Sequence, residues 1–442
     1  MAGWTLLKHP LRQAAGADHE VALTVSEMLL RIERDGLGAV RDYSRALDGW
    51  DPPSFRVGHD EIAAARGRVD DGFAAAFEES MAAVRRFARF QRSTLVDAEL
   101  EVRQGVIAGQ RQVPVAFVGS YLPGGRYPLV SSPLMTVLVP RVAGVDRIVA
   151  CTPPAPGGEG VLPAMVWAAD VCGADELYAL GGVPALAAMA FGIDGMGPVD
   201  LLCGAGNAYV AEAKRQLYGR CGIDLLAGPS EVCVICDETA DVELVAADLL
   251  GQAEHGPTSP ATLITTDAAM GEAVLAEIDR QLPLLRTREV AEAAWRDFGA
   301  AYLARDREEA VAISDEVAAE HLEVHTADDD WYHDRLRNYG SLFLGSRATV
   351  AYSDKGFTGT NHTLPTRTAA RYTGGLSVAP ASSPVSSAPS PARASRWRSP
   401  ACARSRSSAW SGWRRASGPW RSSSSSTCSS SRRRRSRAAR AR

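Results

Sequence analysis

The chain has no uninterrupted apolar run of bilayer-spanning length. An apolar window such as "LMTVLVPRVAGVDRIVA" is broken by Arg141, Asp146 and Arg147, whereas a bilayer-spanning helix needs about 20 predominantly apolar residues, so no membrane span is expected. The start, "MAGWTLLKHPLRQ", lacks an apolar core followed by a small-residue cleavage site. That argues against a secretory leader and for a cytoplasmic protein. Cysteine is sparse: Cys151, Cys172, Cys203, Cys221, Cys233, Cys236, Cys402 and Cys428 are scattered over 442 residues, without the density of a disulfide scaffold. Cys233 and Cys236 form a C-x-x-C within "EVCVICDE". That run alternates like a buried strand, so positions three apart face opposite sides, and no second cysteine pair lies nearby to complete a zinc site.

What is present is an ordinary globular composition, 46% hydrophobic and 23% charged, long enough for several domains and a substantial core. The net charge of −4 conceals two unlike parts. From Ala379 onward lie 15 of the 48 basic residues, all arginine, with no Lys, His, Asp or Glu, which leaves 33 basic against 52 acidic residues in the body. A body with a net charge of −19 is a poor partner for nucleic acid.

Along the chain, "HEVALTVSEMLLRIERDGLGAVRDYSRALDGW" has apolar residues at three- and four-residue spacing, closed by Gly36 and Gly49, and "AAAFEESMAAVRRFARFQRSTL" is a second helical stretch. The pattern predicts an N-terminal helical segment over 1–120 that packs with 231–378. From "VPVAFVGSYLPGG" the grammar changes to short apolar strands alternating with helices, which indicates parallel βαβ units. Two sets of them predict an α/β fold of two doubly wound, Rossmann-like halves, 121–230 and 231–378, with ligand sites at the facing edge. "REEAVAISDEVAAEHLEVHT" is expected to be one helix. The end, residues 379–442, has no apolar periodicity and is expected to be disordered. It reads either as an Arg/Ser-rich RNA-binding or targeting tail or as GC-rich coding sequence translated in the wrong frame.

Three polar clusters carry the chemistry. In "LLGQAEHGPTSP" Gln252 and His255 lie three apart and share a helix face, fit to hold a metal or a substrate; the same residues also suit a solvated last turn, with His near the helix C-terminus. In "AAEHLEV" Glu320 and His321 are adjacent: an imidazole that titrates near neutrality and a carboxylate suit general-base work, or are two surface groups. In "SDKGFTGTNHTLPT" a Gly/Thr-rich loop carries Asp354, Asn361 and His362, and an Asp from such a loop could complete an oxygen/nitrogen metal site with Gln252 and His255. Glycine-rich turns form the remaining set. "SYLPGGRYPL" has Tyr121 before a Pro-Gly-Gly turn, "LLAGPSEV" holds Ser230, and "CGAGNAYVAEAKRQ" places Gly204, Gly206 and Asn207 at a strand-to-helix junction. The last can offer backbone N–H groups to a pyrophosphate, but Tyr209 stands where the dinucleotide fingerprint has its third glycine.

Taken together, "YLPGGRYPL", "VAGVDRIVACTPP", "GAGNAYVAEAKRQLYGRCGIDLLAGPSE", "DLLGQAEHG", "EHLEV" and "GTNHTLPT" resemble the histidinol dehydrogenase family, in order, from about Val21 to Val378. The resemblance implies a zinc- and NAD-dependent oxidation of a primary alcohol, through a bound aldehyde, to a carboxylate with two NAD. It implies Gln252, His255 and Asp354 as zinc ligands in contact with substrate, His321 as base, Glu320 as the group that activates water, Ser230 and His362 as substrate contacts, and Tyr121 and Asn207 as nucleotide contacts.

There are departures. Pro184 stands where the family usually has a nucleotide-contacting Gln, and Val350 where true histidinol dehydrogenases have a substrate-binding Glu. A valine cannot pair with a cationic amino alcohol. With Arg126, Arg347, Lys355 and Arg371 near the motifs, this favours an anionic polyol such as sulfopropanediol over L-histidinol. "GTNHTLPTRTAARYTGGL" is similar to the sulfopropanediol dehydrogenase branch. The loop also has one residue more between Asp354 and His362 than the resemblance leads one to expect. Family members form homodimers in which a C-terminal arm supplies a His to the partner's zinc, yet no His follows His362 here. The alternative reading is therefore a non-catalytic member impaired by loss of that arm.

Overall fold

The computed structural model describes residues 4–12, 19–104, 106–124, 129–156 and 160–378. The expected disorder of 379–442, and Arg126, lie outside the described residues. The strands in chain order are β1 (Thr5–Lys8), β2 (Ala98–Arg103), β3 (Val106–Gln110), β4 (Phe117–Tyr121), β5 (Arg147–Thr152), β6 (Glu176–Ala179) and β7 (Leu201–Cys203). They continue with β8 (Gly222–Ile223), β9 (Val232–Cys236), β10 (Ala261–Thr265), β11 (Ala300–Leu303), β12 (His321–His325) and β13 (Ser341–Leu344).

Two sheets dominate. The first is all parallel, in the order β6-β5-β4-β7-β8. The second runs β1-β11-β10-β9-β12-β13, parallel except for β1, which pairs antiparallel with β11. In each the chain winds outward from a central strand, β4 or β9, then crosses to that strand's other side. This is the doubly wound α/β arrangement read from the sequence. Central strands covered on both faces must be apolar throughout, and every residue of β9 and β10 is buried. The helices between them start on side-chain caps: Asp241, Asp267 and Asp306 each accept backbone N–H groups of the first turn. Gly36 and Gly49, at φ 59° and 63°, mark helix ends as expected.

Two expectations are corrected. The N-terminal segment is neither wholly helical nor a unit packed on 231–378. β1 does join the second sheet and β2 pairs with β3 in a separate hairpin, but Val25, Leu29 and Ile32 of helix His19–Asp35 share a core with Leu186 and Leu217 of the first half. Helix Asp71–Thr94 likewise buries Phe77 and Val84 with Leu134 and Leu138. "AAEHLEV" is not helical either. Helix Arg307–Val317 ends on Ala318, which takes a left-handed φ of 49°, and β12 begins at His321. The stretch "HLEVH" alternates with period two, and a slot between β9 and β13 supplies its backbone partners. No helix among the described residues is long and apolar enough to cross a membrane.

Candidate active site

Two polar stripes meet in the second half. Helix Val242–Ala253 and the turn after it carry Asp248, Gln252 and His255, spaced four and three apart and so on one face. β12 turns His321, Glu323 and His325 to one side of the sheet, while Leu322 and Val324 on the other side pack with Ile235, Ile264 and Ile313. The stripes make one seam between that helix and the sheet, beside the core that holds Val234 of β9 and Val245 and Leu249 of the helix.

At the His255 end of the seam, Nδ1 of His255 lies 3.0 Å from the carbonyl oxygen of Gly251. Because a carbonyl only accepts, Nδ1 carries the proton and Nε2 is the free lone pair. That Nε2 stands 3.7 Å from Oδ2 of Asp354, the last residue of helix Val350–Asp354. The neighbouring Asp354 carboxylate favours the protonated ring and raises the His255 pKa above its ordinary value, against the opposing effect of burial. Burial pushes the Asp354 carboxyl up, but the imidazoles of His255, His362 and His321 more than offset this and hold it below the usual range. Gln252 is buried, and its Nε2 has no hydrogen-bond partner. His255 and Asp354 face each other, Gln252 lies three residues before His255 on the same helix face, and an amide oxygen, an imidazole and a carboxylate are a donor set of the kind that suits zinc.

His321 is buried, with Nδ1 3.0 Å from the carbonyl oxygen of Glu231 and Nε2 without a partner. Burial lowers its pKa, Asp354 only partly opposing, so the ring is a neutral base with a fixed tautomer and a free Nε2 lone pair. Glu320 directs Oε2 to the Ser230 hydroxyl at 2.8 Å and the Glu231 N–H at 3.0 Å; burial lifts its carboxyl well above the ordinary value. Ser230 is thus bonded to Glu320 rather than turned free toward a substrate. His362 interacts electrostatically with Asp354, burial lowers its pKa, and its Nδ1 is unpartnered. The loop that carries it crosses to the first half: Nδ2 of Asn361 donates to the Met135 carbonyl at 3.3 Å. Gly359, at φ 78°, lies so close to helix Asp71–Thr94 that a Cβ would come within 2.5 Å of the Ala83 carbonyl oxygen.

Tyr121 and Asn207 sit apart from this seam, beyond the carboxyl ends of β4 and β7, where the strand order of the first half reverses. Doubly wound sheets bind ligands in that crevice. The turn between β7 and helix Ala208–Leu217 is pinned from below: Asp224 accepts the Gly204 N–H at 2.7 Å, Lys214 donates to the Gly204 carbonyl at 2.7 Å, and the two charges form a fully buried ion pair. The Asn207 carboxamide oxygen caps the helix by accepting from Tyr209 N and Val210 N at 3.0 and 3.1 Å. The Tyr121 hydroxyl accepts from Gly182 N at 3.1 Å. Both side chains therefore shape the crevice through backbone bonds, and helix Ala208–Leu217 starts beside it, the end of a helix that attracts anions. Pro184 is buried in helix Gly182–Phe191.

Sequence reasoning missed Asp248, Glu323, His325, Glu231 and the Lys214–Asp224 pair. The period-two "HLEVH" and the Asp-x3-Gln-x2-His spacing were the signals available for the first three.

Comparison with known proteins agrees with this architecture. The sequence profile of histidinol dehydrogenase matches residues 11–386. A histidinol dehydrogenase homolog of Shouchella clausii is 51% identical over 360 residues, 81% of this chain and 84% of the relative. A sulfopropanediol 3-dehydrogenase of Ruegeria pomeroyi is 48% identical over 361 residues, 81% of this chain and 82% of the relative. The crystal structure of histidinol dehydrogenase from Elizabethkingia anophelis superposes with a TM-score of 0.78 at 33% identity, covering 86% of each chain. With a matching fold and a profile that spans most of its length, the chain belongs to the histidinol dehydrogenase family, a family of oxidoreductases.

Proposed function

We propose that the protein is a zinc- and NAD-dependent dehydrogenase that oxidises a primary alcohol, through an enclosed aldehyde, to a carboxylate. The observation that carries this reading is the buried, neutral His321, whose free Nε2 lies in the same electrostatic neighbourhood as Asp354 and His255. Zinc held by Gln252, His255 and Asp354 would polarise the substrate hydroxyl and lower its pKa. NAD, lodged in the crevice shaped by Tyr121 and Asn207, would accept hydride from the carbinol carbon in each of two oxidations.

The rest is done by the chain. His321 Nε2 takes the alcohol proton; its Nδ1–H, held by the Glu231 carbonyl, keeps the tautomer that makes this possible. Glu320, made more basic by burial, takes a proton from the water that adds to the aldehyde. Ser230 positions Glu320 through its hydrogen bond, and His321, once it has released the first proton to solvent, accepts the proton of the aldehyde hydrate. Holding the aldehyde in the site until the second oxidation would keep this reactive intermediate from escaping.

The substrate we favour is an anionic polyol of the sulfopropanediol type rather than L-histidinol. Val350 packs in the apolar core four residues before Asp354 and supplies no carboxylate for a cationic amine. Of the cations near the site motifs, Arg371 is spent on the Glu316 carbonyl at 2.5 Å, Arg347 is exposed, and Lys355, beside Asp354, acts electrostatically on His362. The functional unit we propose is a cytoplasmic homodimer, in which a second copy covers the exposed Tyr352–Phe357 ring pair next to Asp354. The test is NAD reduction by zinc-loaded protein with sulfopropanediol and with L-histidinol side by side. Preference for sulfopropanediol is expected. Preference for histidinol discards the argument from Val350, and reduction with neither removes the reading.

A further inference from the structure

The reaction leaves the other end of the polar seam unused. There Asp248, Glu323 and His325 bring two carboxylate oxygens and an imidazole nitrogen within 4.8 Å of one another. This is no surface acidic cluster: Glu323 is fully buried and His325 is 2% exposed. Each carboxylate spends one oxygen on the start of helix Val350–Asp354. Asp248 Oδ1 accepts from Thr349 Oγ1 at 2.8 Å, and Glu323 Oε1 accepts from Val350 N at 3.0 Å. Glu323 Oε2 and both ring nitrogens of His325 have no hydrogen-bond partner, and His325 Nε2 stands 3.5 Å from Glu323 Oε2. Among the described residues no lysine or arginine pairs with either carboxylate.

A buried carboxylate facing a half-buried one needs a proton or a cation to offset the repulsion, and carboxylates fixed by outer donors beside an imidazole form a cation's ligand set. The location agrees. His325 ends β12 opposite Cys236, the end of β9, and between these strands the order of the second sheet reverses, the ligand crevice of a doubly wound half. Ligands about 2.1 Å from a zinc-sized ion lie up to roughly 4 Å apart, so the observed spacing closes with small side-chain shifts.

We propose that Asp248, Glu323 and His325 form a second divalent-cation site for zinc or manganese, separate from Gln252, His255 and Asp354, with water in the open positions. A cation there ties down the start of the helix whose last residue, Asp354, faces His255, so the second site stiffens the first.

The test uses metal-stripped full-length chain dialysed against Mn2+ or Zn2+, with metal content and thermal melts as readouts. In a His255→Ala background about one cation per chain is expected to remain and to raise the melting temperature. Adding Glu323→Gln, or Asp248→Asn, which keeps an acceptor for Thr349, should remove both the cation and the temperature rise. In the otherwise native chain Glu323→Gln should lower the content from two cations to one, a comparison that stands even if His255→Ala fails to fold. Absence of a cation in the His255→Ala chain, with one retained unchanged by native-background Glu323→Gln, shows that the trio holds only protons and overturns the proposal while sparing the first site. If instead His255→Ala leaves the metal content of the native chain unaltered and Glu323→Gln lowers it, the first site fails and the second stands.

Discussion

In the reaction proposed above His321 is the base, and two neighbours fix it for that role: the Glu231 carbonyl accepts its Nδ1–H and burial favours the neutral ring. His321→Asn should lower kcat by about 100- to 10,000-fold, the usual worth of a positioned general base, while bound zinc stays unchanged by metal analysis; loss of zinc in step with activity would mean that the residue holds the metal instead. Glu231 itself offers a stability measurement. Burial lifts its carboxyl from an ordinary 4.5 to about 7, against the backbone N–H of Arg367. Between those values the folded chain holds a proton that the unfolded chain has released. The contribution is therefore fully present below about pH 4.5 and lost as pH rises through about 7, roughly 3 kcal/mol in all. Glu231→Gln keeps an acceptor for Arg367 and should flatten that slope in denaturant titrations, with the variant the more stable chain above pH 7; an unchanged slope would place the titration elsewhere.

At the scale of elements, the turn after β7 is the sharpest constraint. Gly204 has φ 127°, and a Cβ there would meet the Tyr121 carbonyl oxygen at 2.2 Å, so Gly204→Ala should force β4 and β7 apart and raise KM for NAD at least tenfold. Asn207 separates capping from nucleotide contact. Asn207→Ala loses the cap, about 1 kcal/mol, whereas Asn207→Asp keeps it but adds a negative charge to the proposed pyrophosphate crevice. Restored melting temperature with a raised KM for NAD is expected of the Asp variant; restored KM would mean that Asn207 only caps. The helices and central strands were legible because their apolar periods run for ten residues or more, or because every position is apolar, as in β9 and β10. Short elements were not. "TLLK" and "SLFL" hold four residues each, too few to reveal a period. "HLEVH" was read as the tail of a helix because its polar residues face the seam instead of solvent, which inverts the usual meaning of alternation. The candidate site was legible for the opposite reason: its residues sit in locally distinctive motifs, whereas the Lys214–Asp224 pair is made by residues ten apart whose proximity only the fold creates.

For the whole molecule, the site depends on the two halves meeting. The loop from Lys355 to His362 belongs to the second half but is anchored on helix Asp71–Thr94 and Met135 of the first. Chelation of the proposed zinc should therefore lower the melting temperature of the chain as well as stop the proposed turnover, and restoring zinc should recover both; loss of turnover without a thermal shift would show that the ligands are held in place without the ion. The account as a whole stands or falls on product stoichiometry. With zinc-loaded full-length protein, limiting sulfopropanediol and excess NAD, it predicts two NADH formed and one carboxylate recovered per alcohol consumed. One NADH with free aldehyde in solution, or none at all, would contradict it.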